Sequence, residues 1–400
     1  MLSRRRFLIG GALLSASAVY AYQRGIRYPR LSLEPGALAE RLALPNATFE
    51  LYDAIELHDQ EKLAFRAIAP EPSLAISTQR GTIEFLVNNI ARNAKLEVSG
   101  KGIKLLDEHI DGITRKLTLE SGVEQTLRLD WRMPSDGGID FAVMGDTGGG
   151  SELAWTLKRA RELDAQFLLH LGDFNYREGE YTNAIEQFLN APIPCYISIG
   201  NHDFHDNGLI YQRFLDQLGP MNHWFSIAGT RFTNIDTAAD FFPAHGGLRG
   251  DLIQQMHQHN HSGEQVFFTH RPLKDPRPHD DHEVGGINEI EWLTNMLNSV
   301  GCNKLLTGHV HHSAELEFHG IRQYTIGEGL GFENLVLQRP VAKIMMGRVE
   351  QGRSLTHSWV DLNMPWSEHT SPTHAHKLKK FGRLKQLEWY ESLIVGDMST

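Results

Sequence analysis

The chain contains very little cysteine: Cys195 and Cys302 are the only two among 400 residues. A framework of several disulfide bonds, on which many small exported domains depend, is therefore excluded. Both cysteines lie beside predicted buried strands. The sequence favours two buried thiols, although an oxidising compartment would permit a bridge between them.

A hydrophobic run of transmembrane length is also lacking. The apolar stretch from Phe7 to Ala18 is shorter than the roughly 20 residues that span a bilayer. It follows three arginines in MLSRRRFLIGGALLSASAVYAYQ and ends in small residues, which is the form of an export signal. The segment SRRRFL is similar to the twin-arginine signal of bacterial proteins exported after folding.

We therefore expect a twin-arginine-type signal segment over residues 1–22, with the twin-arginine export machinery as a partner. The expected location is the periplasm or cell envelope of a bacterium. A general secretory signal is an alternative, and so is an uncleaved signal that anchors the protein to the membrane.

An excess of positive charge is absent as well, because 39 lysines and arginines face 49 acidic residues and the formal net charge is −10. Nucleic-acid backbones are bound by clustered basic residues, so we expect no nucleic-acid partner. The basic run HKLKKFGRLK near the C-terminus is interpreted as a solvated helix face. The hydrophobic content of 41% is typical of a globular protein.

Two patterns of alternation divide the chain. After a linker over residues 23–46, apolar residues at every second position predict a small all-β sandwich domain of about six strands over residues 47–133. Apolar strands then alternate with amphipathic helices, the first of which we expect Ser151 to cap. This pattern predicts an α/β layered domain over residues 139–362, with mixed β-sheets flanked by helices, and a C-terminal extension over residues 363–400.

Residues of metal-binding types follow five predicted strands of the α/β region. They are Asp146 in GDTG, Asp173 and Tyr176 in GDFNY, Asn201, His202 and Asp203 in GNHD, His270 in FFTH, and His309 and His311 in GHVHH. One such motif would mean little, since a lone buried histidine is usually a hydrogen-bonded core residue. Five at one sheet edge would bury several carboxylates and imidazoles, which is costly without a cation. We therefore predict a metal site.

These motifs resemble, in content and order, those of the calcineurin-like metallophosphoesterases, and within them the purple acid phosphatases. Most of the superfamily has a histidine two residues after the first aspartate, where this chain has Gly148. Purple acid phosphatases share that change and carry a tyrosine three residues after the second aspartate, where Tyr176 stands. The resemblance covers residues 139–320 and is only architectural for the sandwich.

The resemblance implies a metallophosphoesterase sandwich fold and a binuclear centre. One metal would be bound by Asp146, Asp173, Tyr176 and His311, and the other by Asp173, Asn201, His270 and His309, so that Asp173 bridges. A phenolate ligand suits Fe(III), while imidazole and amide ligands suit Fe(II), Zn(II) or Mn(II). The implied activity is hydrolysis of phosphate monoesters by a metal-bound hydroxide. In the family, the residue matching His202 faces the substrate, and Asp203 would orient it.

Other residues are candidates for contact with a small phosphate ester substrate. Arg271 follows His270 directly and could reach a phosphate or pair with a local aspartate. The Pro-rich segment 271–286 is predicted to form a rim or lid. The histidines predicted on that rim are His205, His245 and His282. The tract MHQHNH resembles a metal-binding segment but is assigned to an exposed helix end.

Two other functions are compatible with the motifs. One is a phosphodiesterase of the same fold that acts on nucleotides or lipid headgroups. The other, from a different class, is a non-catalytic, metal-bound binding protein of the cell envelope that uses the sandwich to hold a partner. The intact pair His202 and Asp203 favours an enzyme over a binding protein.

Overall fold

The computed structural model describes most of the chain between residues 38 and 363. The described residues are 38–57, 62–79, 81–122, 125–134, 137–176, 178–204, 210–238, 247–259, 261–278, 280–330, 335–336, 339–340 and 342–363. The predicted signal segment, nearly all of the C-terminal extension, His205 and His245 lie outside the described residues.

The described residues between 38 and 132 form an all-β region. Its strands are β1 (Leu38–Leu44), β2 (Ala47–Tyr52), β3 (Ala54–Glu56), β4 (Ala64–Ala67), β5 (Ser73–Thr78), β6 (Gly81–Asn88), β7 (Lys95–Gly100), β8 (Ile103–Asp111), β9 (Thr114–Ser121) and β10 (Gln125–Arg132). They form two sheets with the strand orders β1-β2-β5-β10-β7 and β3-β4-β6-β9-β8. Phe49, Phe65 and Phe85 are buried in its core, with ring centroids 5.1 to 5.9 Å apart.

The linker prediction was wrong at its C-terminal end. Residues 38–44, which were assigned to the linker, form β1 and pair antiparallel with β2. The segment LAERLAL lacks strict alternation, so its strand state depends on the partner that β2 supplies.

The α/β region follows from residue 139. Its strands are β11 (Ile139–Met144), β12 (Phe167–His170), β13 (Cys195–Ile197), β14 (His223–Ile227), β15 (Thr230–Asn234), β16 (Gln265–Thr269), β17 (Lys304–Thr307), β18 (Ser313–Phe318), β19 (Ile321–Ile326), β20 (Leu335–Val336), β21 (Arg339–Pro340), β22 (Lys343–Val349) and β23 (Thr356–Asp361). Its helices are α1 (Ser151–Glu162), α2 (Glu180–Leu189), α3 (Ile210–Gln217), α4 (Gly247–Gln258) and α5 (Ile287–Ser299).

Two mixed sheets form the centre of this region, in the orders β13-β12-β11-β22-β23 and β14-β15-β16-β17-β19-β18. Phe141 of the first sheet and Phe232 of the second are both buried, with ring centroids 5.2 Å apart. Aromatic rings in this edge-on arrangement fill the space between the sheets. The predicted α/β layered fold with an N-terminal all-β sandwich is confirmed.

The parallel strands determine where the predicted site can form. β11, β12 and β13 run parallel in one sheet, and β15, β16, β17 and β19 run parallel in the other. The five motifs follow β11, β12, β13, β16 and β17, so they leave these strands at their carboxyl ends. Loops at this edge are the usual place for a site in α/β sheets.

The sandwich covers the edge strand β13 of the first sheet. The fully buried guanidinium of Arg66 donates hydrogen bonds to Asn88 Oδ1 at 2.9 Å and to the Cys195 carbonyl at 3.0 Å. Asn89 accepts the Cys195 N–H at 2.8 Å through Oδ1 and donates to the same residue's carbonyl at 3.1 Å. An exposed strand edge, which would otherwise be open to other chains, is thereby paired.

Two local predictions have definite outcomes. Ser151 is the first helical residue of α1 and not its cap: Gly150 takes the cap position, and Ser151 Oγ donates to the Glu152 carboxylate. Both cysteines are buried and free. Among the described residues, no helix has the length and apolar character needed to cross a membrane.

Candidate metal centre

The side chains of one half of the centre converge on the phenol of Tyr176. Its hydroxyl oxygen lies 3.5 Å from Asp146 Oδ1, 3.2 Å from Asp173 Oδ2 and 3.3 Å from His311 Nε2. His311 Nε2 is also 3.3 Å from Asp146 Oδ1. Four ligand atoms of the kinds that bind transition metals therefore face one point. We call these residues the first half of the centre.

The second half is formed around His270. Its Nε2 lies 2.9 Å from Asn201 Oδ1, 3.1 Å from His309 Nδ1 and 3.4 Å from Asp173 Oδ1. His270 Nδ1 lies 2.7 Å from the Leu171 carbonyl, which can only accept, so Nδ1 carries a proton. Nε2 faces the Asn201 and Asp173 oxygens and a nitrogen of His309, an arrangement that a cation bound at Nε2 would satisfy.

Asp173 contributes one carboxylate oxygen to each half. Oδ2 faces Tyr176, whereas Oδ1 faces His270 and also accepts the His202 N–H at 2.9 Å. Burial acts to raise the pKa of Asp173, but the imidazoles of His270, His202 and His309 outweigh burial and lower it. The carboxylate is thus ionised and placed to bridge two cations.

Burial also shifts the pKa of two other predicted ligands. It raises the pKa of Asp146, against the opposing influence of His311. Burial, followed by the nearby His270, lowers the pKa of His309 to about 2. A neutral imidazole is the form that binds metal. Among the described residues, the groups able to hold an ion are Asp146–Asp173–His311 and Asp173–His270–His309.

Three predicted ligands have left-handed backbone conformations: φ is +60° at Asp146, +59° at Asp173 and +64° at His309. Such conformations cost about 1 to 3 kcal/mol for residues other than glycine and cluster at functional sites. They turn these side chains toward the centre because the chain reverses sharply where each strand ends.

Gly148 lies beside the ring of Tyr176. The φ angle of Gly148 is +63°, and a Cβ atom there would lie 3.4 Å from Tyr176 Cδ2 and 3.6 Å from Glu180 Oε2. A Cβ atom at this position would make ordinary contact with the tyrosine ring, whereas the positive φ would strain the backbone of any other residue. The left-handed turn at Gly148 therefore favours glycine.

The pair predicted to be catalytic lies at the centre. His202 is half-buried, and its ring centroid lies 4.5 Å from that of Tyr176. The buried carboxylate of Asp203 accepts N–H groups of Asp173, Phe174 and Gly200 at 3.0, 2.9 and 2.7 Å. These bonds give Asp203 a role in holding two loops together. Orientation of His202 by Asp203 stays a prediction.

Two of the four predicted substrate contacts lie in described residues. Arg271 is half-buried, its N–H donates to Thr237 Oγ1 at 2.8 Å, and its positive charge helps to lower the pKa of His309, although burial and His270 contribute more. The ring of His282 lies 5.7 Å from that of His309, and its Nδ1 is 3.0 Å from Arg277 Nη2. Both lie at the second half of the centre.

His170 and Glu180 contact residues of the centre but were not predicted from the sequence. His170 is fully buried, and Glu180 Oε2 accepts the Tyr176 N–H at 2.8 Å. The signal for His170 was present in QFLLHLGD, where it is the one polar residue of an apolar strand directly before Gly-Asp. Glu180 lies four residues beyond Tyr176 and had no comparable signal.

Part of the α/β region is similar to a known protein family. Residues 139–313 match the family model of the calcineurin-like phosphoesterases. No curated protein sequence matches the chain.

Similar solved structures share 12 to 13% identity with the chain. A purple acid phosphatase, PPD1 from yellow lupin (Lupinus luteus), has a TM-score of 0.44, and the match covers 73% of this chain and 70% of that one. A dimetal phosphatase from Danio rerio has a TM-score of 0.37, and the match covers 57% of this chain and 97% of that one. GAP50, the anchor in the inner membrane complex of Plasmodium, has a TM-score of 0.43, and the match covers 56% of this chain and 85% of that one.

The family model covers all the strand ends that supply the centre, from Asp146 to His311. Its match agrees with the two mixed sheets and with the convergence of carboxylates and imidazoles at their shared edge. Residues 139–313 of this chain are therefore similar to the calcineurin-like phosphoesterases in sequence, and they carry the candidate metal centre.

Proposed function

We propose that the protein is a binuclear metal-dependent phosphatase of the purple acid phosphatase type, which hydrolyses small phosphate monoesters. The observation that carries the proposal is the position of the Tyr176 hydroxyl among Asp146, Asp173 and His311. A phenolate beside two carboxylates is a hard, anionic ligand set, which suits Fe(III). The imidazoles and the amide of the second half suit Fe(II), Zn(II) or Mn(II).

Each side chain around the substrate would have a separate role. When bound, two metal ions would supply Lewis acidity and make a water molecule acidic enough to ionise at mild pH. His202 is within reach of the same site and would donate a proton to the leaving group or hydrogen-bond a phosphoryl oxygen. Arg271 would attract the phosphate by its charge, and His282 would contact the part of the ester beyond it.

The first experiment is a visible spectrum and metal analysis of the purified protein. We expect two metal ions per chain, one of them iron, and an absorption band from tyrosinate bound to Fe(III). Tyr176→Phe should remove the band, whereas Tyr181→Phe, which removes a buried hydroxyl in α2, should keep it. A colourless, iron-free and fully active enzyme would show that ferric iron is the wrong assignment.

The second experiment separates the candidate activities. We expect an aryl phosphate monoester to be hydrolysed faster than the matching diester, and the reverse order would favour a phosphodiesterase. Asp146→Asn should abolish turnover, because it removes a charge from the first half of the centre. Unchanged turnover in Asp146→Asn would instead favour a metal-bound binding protein.

We also propose export through the twin-arginine machinery to the periplasm or cell envelope, on the basis of the N-terminal sequence SRRRFL. Export after folding would allow the metals to be inserted in the cytoplasm. Replacing Arg4 and Arg5 by lysine should retain the protein in the cytoplasm, as measured by cell fractionation.

A further inference from the structure

His170 lies directly beneath the first half of the centre, and the proposed reaction gives it no part. It ends β12 and is fully buried, with ring centroids of Phe174 and Phe188 at 6.0 and 5.3 Å. A buried imidazole in such apolar surroundings must have hydrogen-bond partners to offset its desolvation.

Its partners form a chain of hydrogen bonds with one direction. The Gly172 N–H donates to His170 Nδ1 at 3.3 Å, so the ring proton is on Nε2. Nε2 lies 2.9 Å from Thr147 Oγ1, which donates in turn to the Gly148 carbonyl at 2.8 Å. Thr147 is fully buried as well. Every donor in this chain therefore has an acceptor.

The chain connects the two loops that supply the first half. Thr147 stands between Asp146 and Gly148, and Gly172 directly precedes Asp173. The backbones of the two loops also bond to each other, from Asp146 N–H to the Gly172 carbonyl at 2.9 Å. Because both aspartates hold left-handed conformations that their own backbone disfavours, their orientation depends on support from their surroundings.

We propose that His170 and Thr147 are positioning residues for the first half of the centre. Their hydrogen bonds hold the two loops at the spacing that lets Asp146, Asp173 and Tyr176 share one cation. The inference rests on the proposed binuclear function and deepens it, because it names the support on which the trivalent metal would depend.

The discriminating variant is Thr147→Val, which keeps the shape of the side chain and removes the hydroxyl in the middle of the chain. We expect the affinity of the first half for metal to fall about 10- to 100-fold, as is typical when a supporting hydrogen bond to a metal site is lost. Thr147→Ser should restore it. His170→Phe should act in the same direction, and the double variant should be no worse than the worse single one, since the two residues act as a unit.

The measurement uses the full-length protein loaded with Ga³⁺, a redox-inactive trivalent cation, and with Zn²⁺. Each protein is challenged with increasing concentrations of a competing chelator, and the retained metal is determined. The ultraviolet absorption of metal-bound tyrosinate reports the first half, and its absence in Tyr176→Phe identifies the signal. We expect Thr147→Val to lose this signal at lower chelator concentration than the wild type does, while Zn²⁺ in the second half is retained.

Thr156→Val is the matched control. Thr156 is a fully buried threonine of α1, whose hydroxyl has no hydrogen-bond partner among the described residues. Its variant should retain metal as the wild type does. The proposal is wrong if Thr147→Val retains the tyrosinate signal at wild-type chelator concentrations, or if Thr156→Val loses it equally. A wild-type protein that binds both metals and hydrolyses no phosphate ester would refute the proposed function alone.

Discussion

Gly200 is not a predicted metal ligand, but its surroundings leave no room for a side chain. A Cβ atom at Gly200 would overlap the backbone nitrogen and Oδ1 of Asp173. The close approach brings the loop that carries Asn201 against the bridging carboxylate. A glycine here reflects crowding by two strand ends and not a need for positive φ.

We therefore expect Gly200→Ala to displace Asp173 and to lose most of its bound metal, retaining about a tenth or less, as for other defects in the support of metal ligands. Metal content of the purified protein measures the effect. Gly137→Ala is the matched control, because a Cβ atom there meets no other atom within 4 Å. Equal metal content in the two variants would contradict the prediction.

His223 is a titratable residue outside the centre that should affect stability. It is buried in β14, where burial lowers its pKa to about 4. Its pKa in an unfolded chain is about 6.5, so only the unfolded state takes up this proton as the pH falls from 6.5 to 4. The stability is fully present above pH 6.5 and decreases through that window.

Between pH 7 and pH 5, wild-type protein should lose about 2 kcal/mol more of its unfolding free energy than His223→Leu, which has no proton to take up. Urea unfolding of the metal-free proteins at both pH values provides the comparison. Identical pH dependence in the two proteins would show that His223 is protonated equally in both states.

At the scale of elements, the residues after β6 show how the sandwich is joined to β13. Asn89 has a φ of +67°, and its side chain donates to the carbonyls of Ala67 and Cys195 and accepts the Cys195 N–H. One side chain thus replaces the hydrogen bonds that a neighbouring strand would make with the edge of β13. β13 leads directly to Asn201 and His202.

Asn89→Gly should lower the unfolding free energy by about 3 kcal/mol, because three hydrogen bonds of about 1 kcal/mol each are lost. Asn89→Ala should cost about 1 kcal/mol more, since alanine disfavours a left-handed backbone. Thermal and denaturant unfolding measure both. Equal stability of the two variants would mean that the backbone relaxes out of this conformation.

The strands and helices predicted best from the sequence were those whose apolar pattern lies within their own residues. The continuous apolar strands before Asp146 and Asp173 and the helix α1 were recognisable because their burial follows directly from their own sequence. The strand β1 was missed, because it is strand-like only in the presence of β2. Helix capping by Ser151 was also wrong, since a preceding glycine took the position.

At the scale of the whole molecule, one continuous hydrophobic core joins the sandwich to the α/β region. The largest buried cluster includes Phe49 and Trp131 of the sandwich together with Phe141, Tyr196 and Phe225 of the α/β region. Arg66 is fully buried between the two parts. The predicted boundary near residue 133 therefore separates two patterns of sequence, and both patterns contribute to one core.

A chain that lacks residues 1–133 should accordingly be insoluble or should unfold without a cooperative transition. Removal of the sandwich would expose the edge of β13 and the apolar surface that the sandwich covers. Soluble yield and thermal unfolding test this expectation. A truncated protein that melts within a few degrees of the full-length chain would show that the sandwich is an independent unit.

The sequence by itself determined the ligand types and their order along the chain, because metal coordination demands particular side chains and parallel sheets place them after successive strands. Only the tertiary structure decided how these residues are shared. It assigns one oxygen of Asp173 to each half, engages Asp203 with the N–H groups of two loops, and places His170 beneath them. Those assignments depend on distances of a few ångströms between residues far apart in sequence, which neither periodicity nor motif spacing contains.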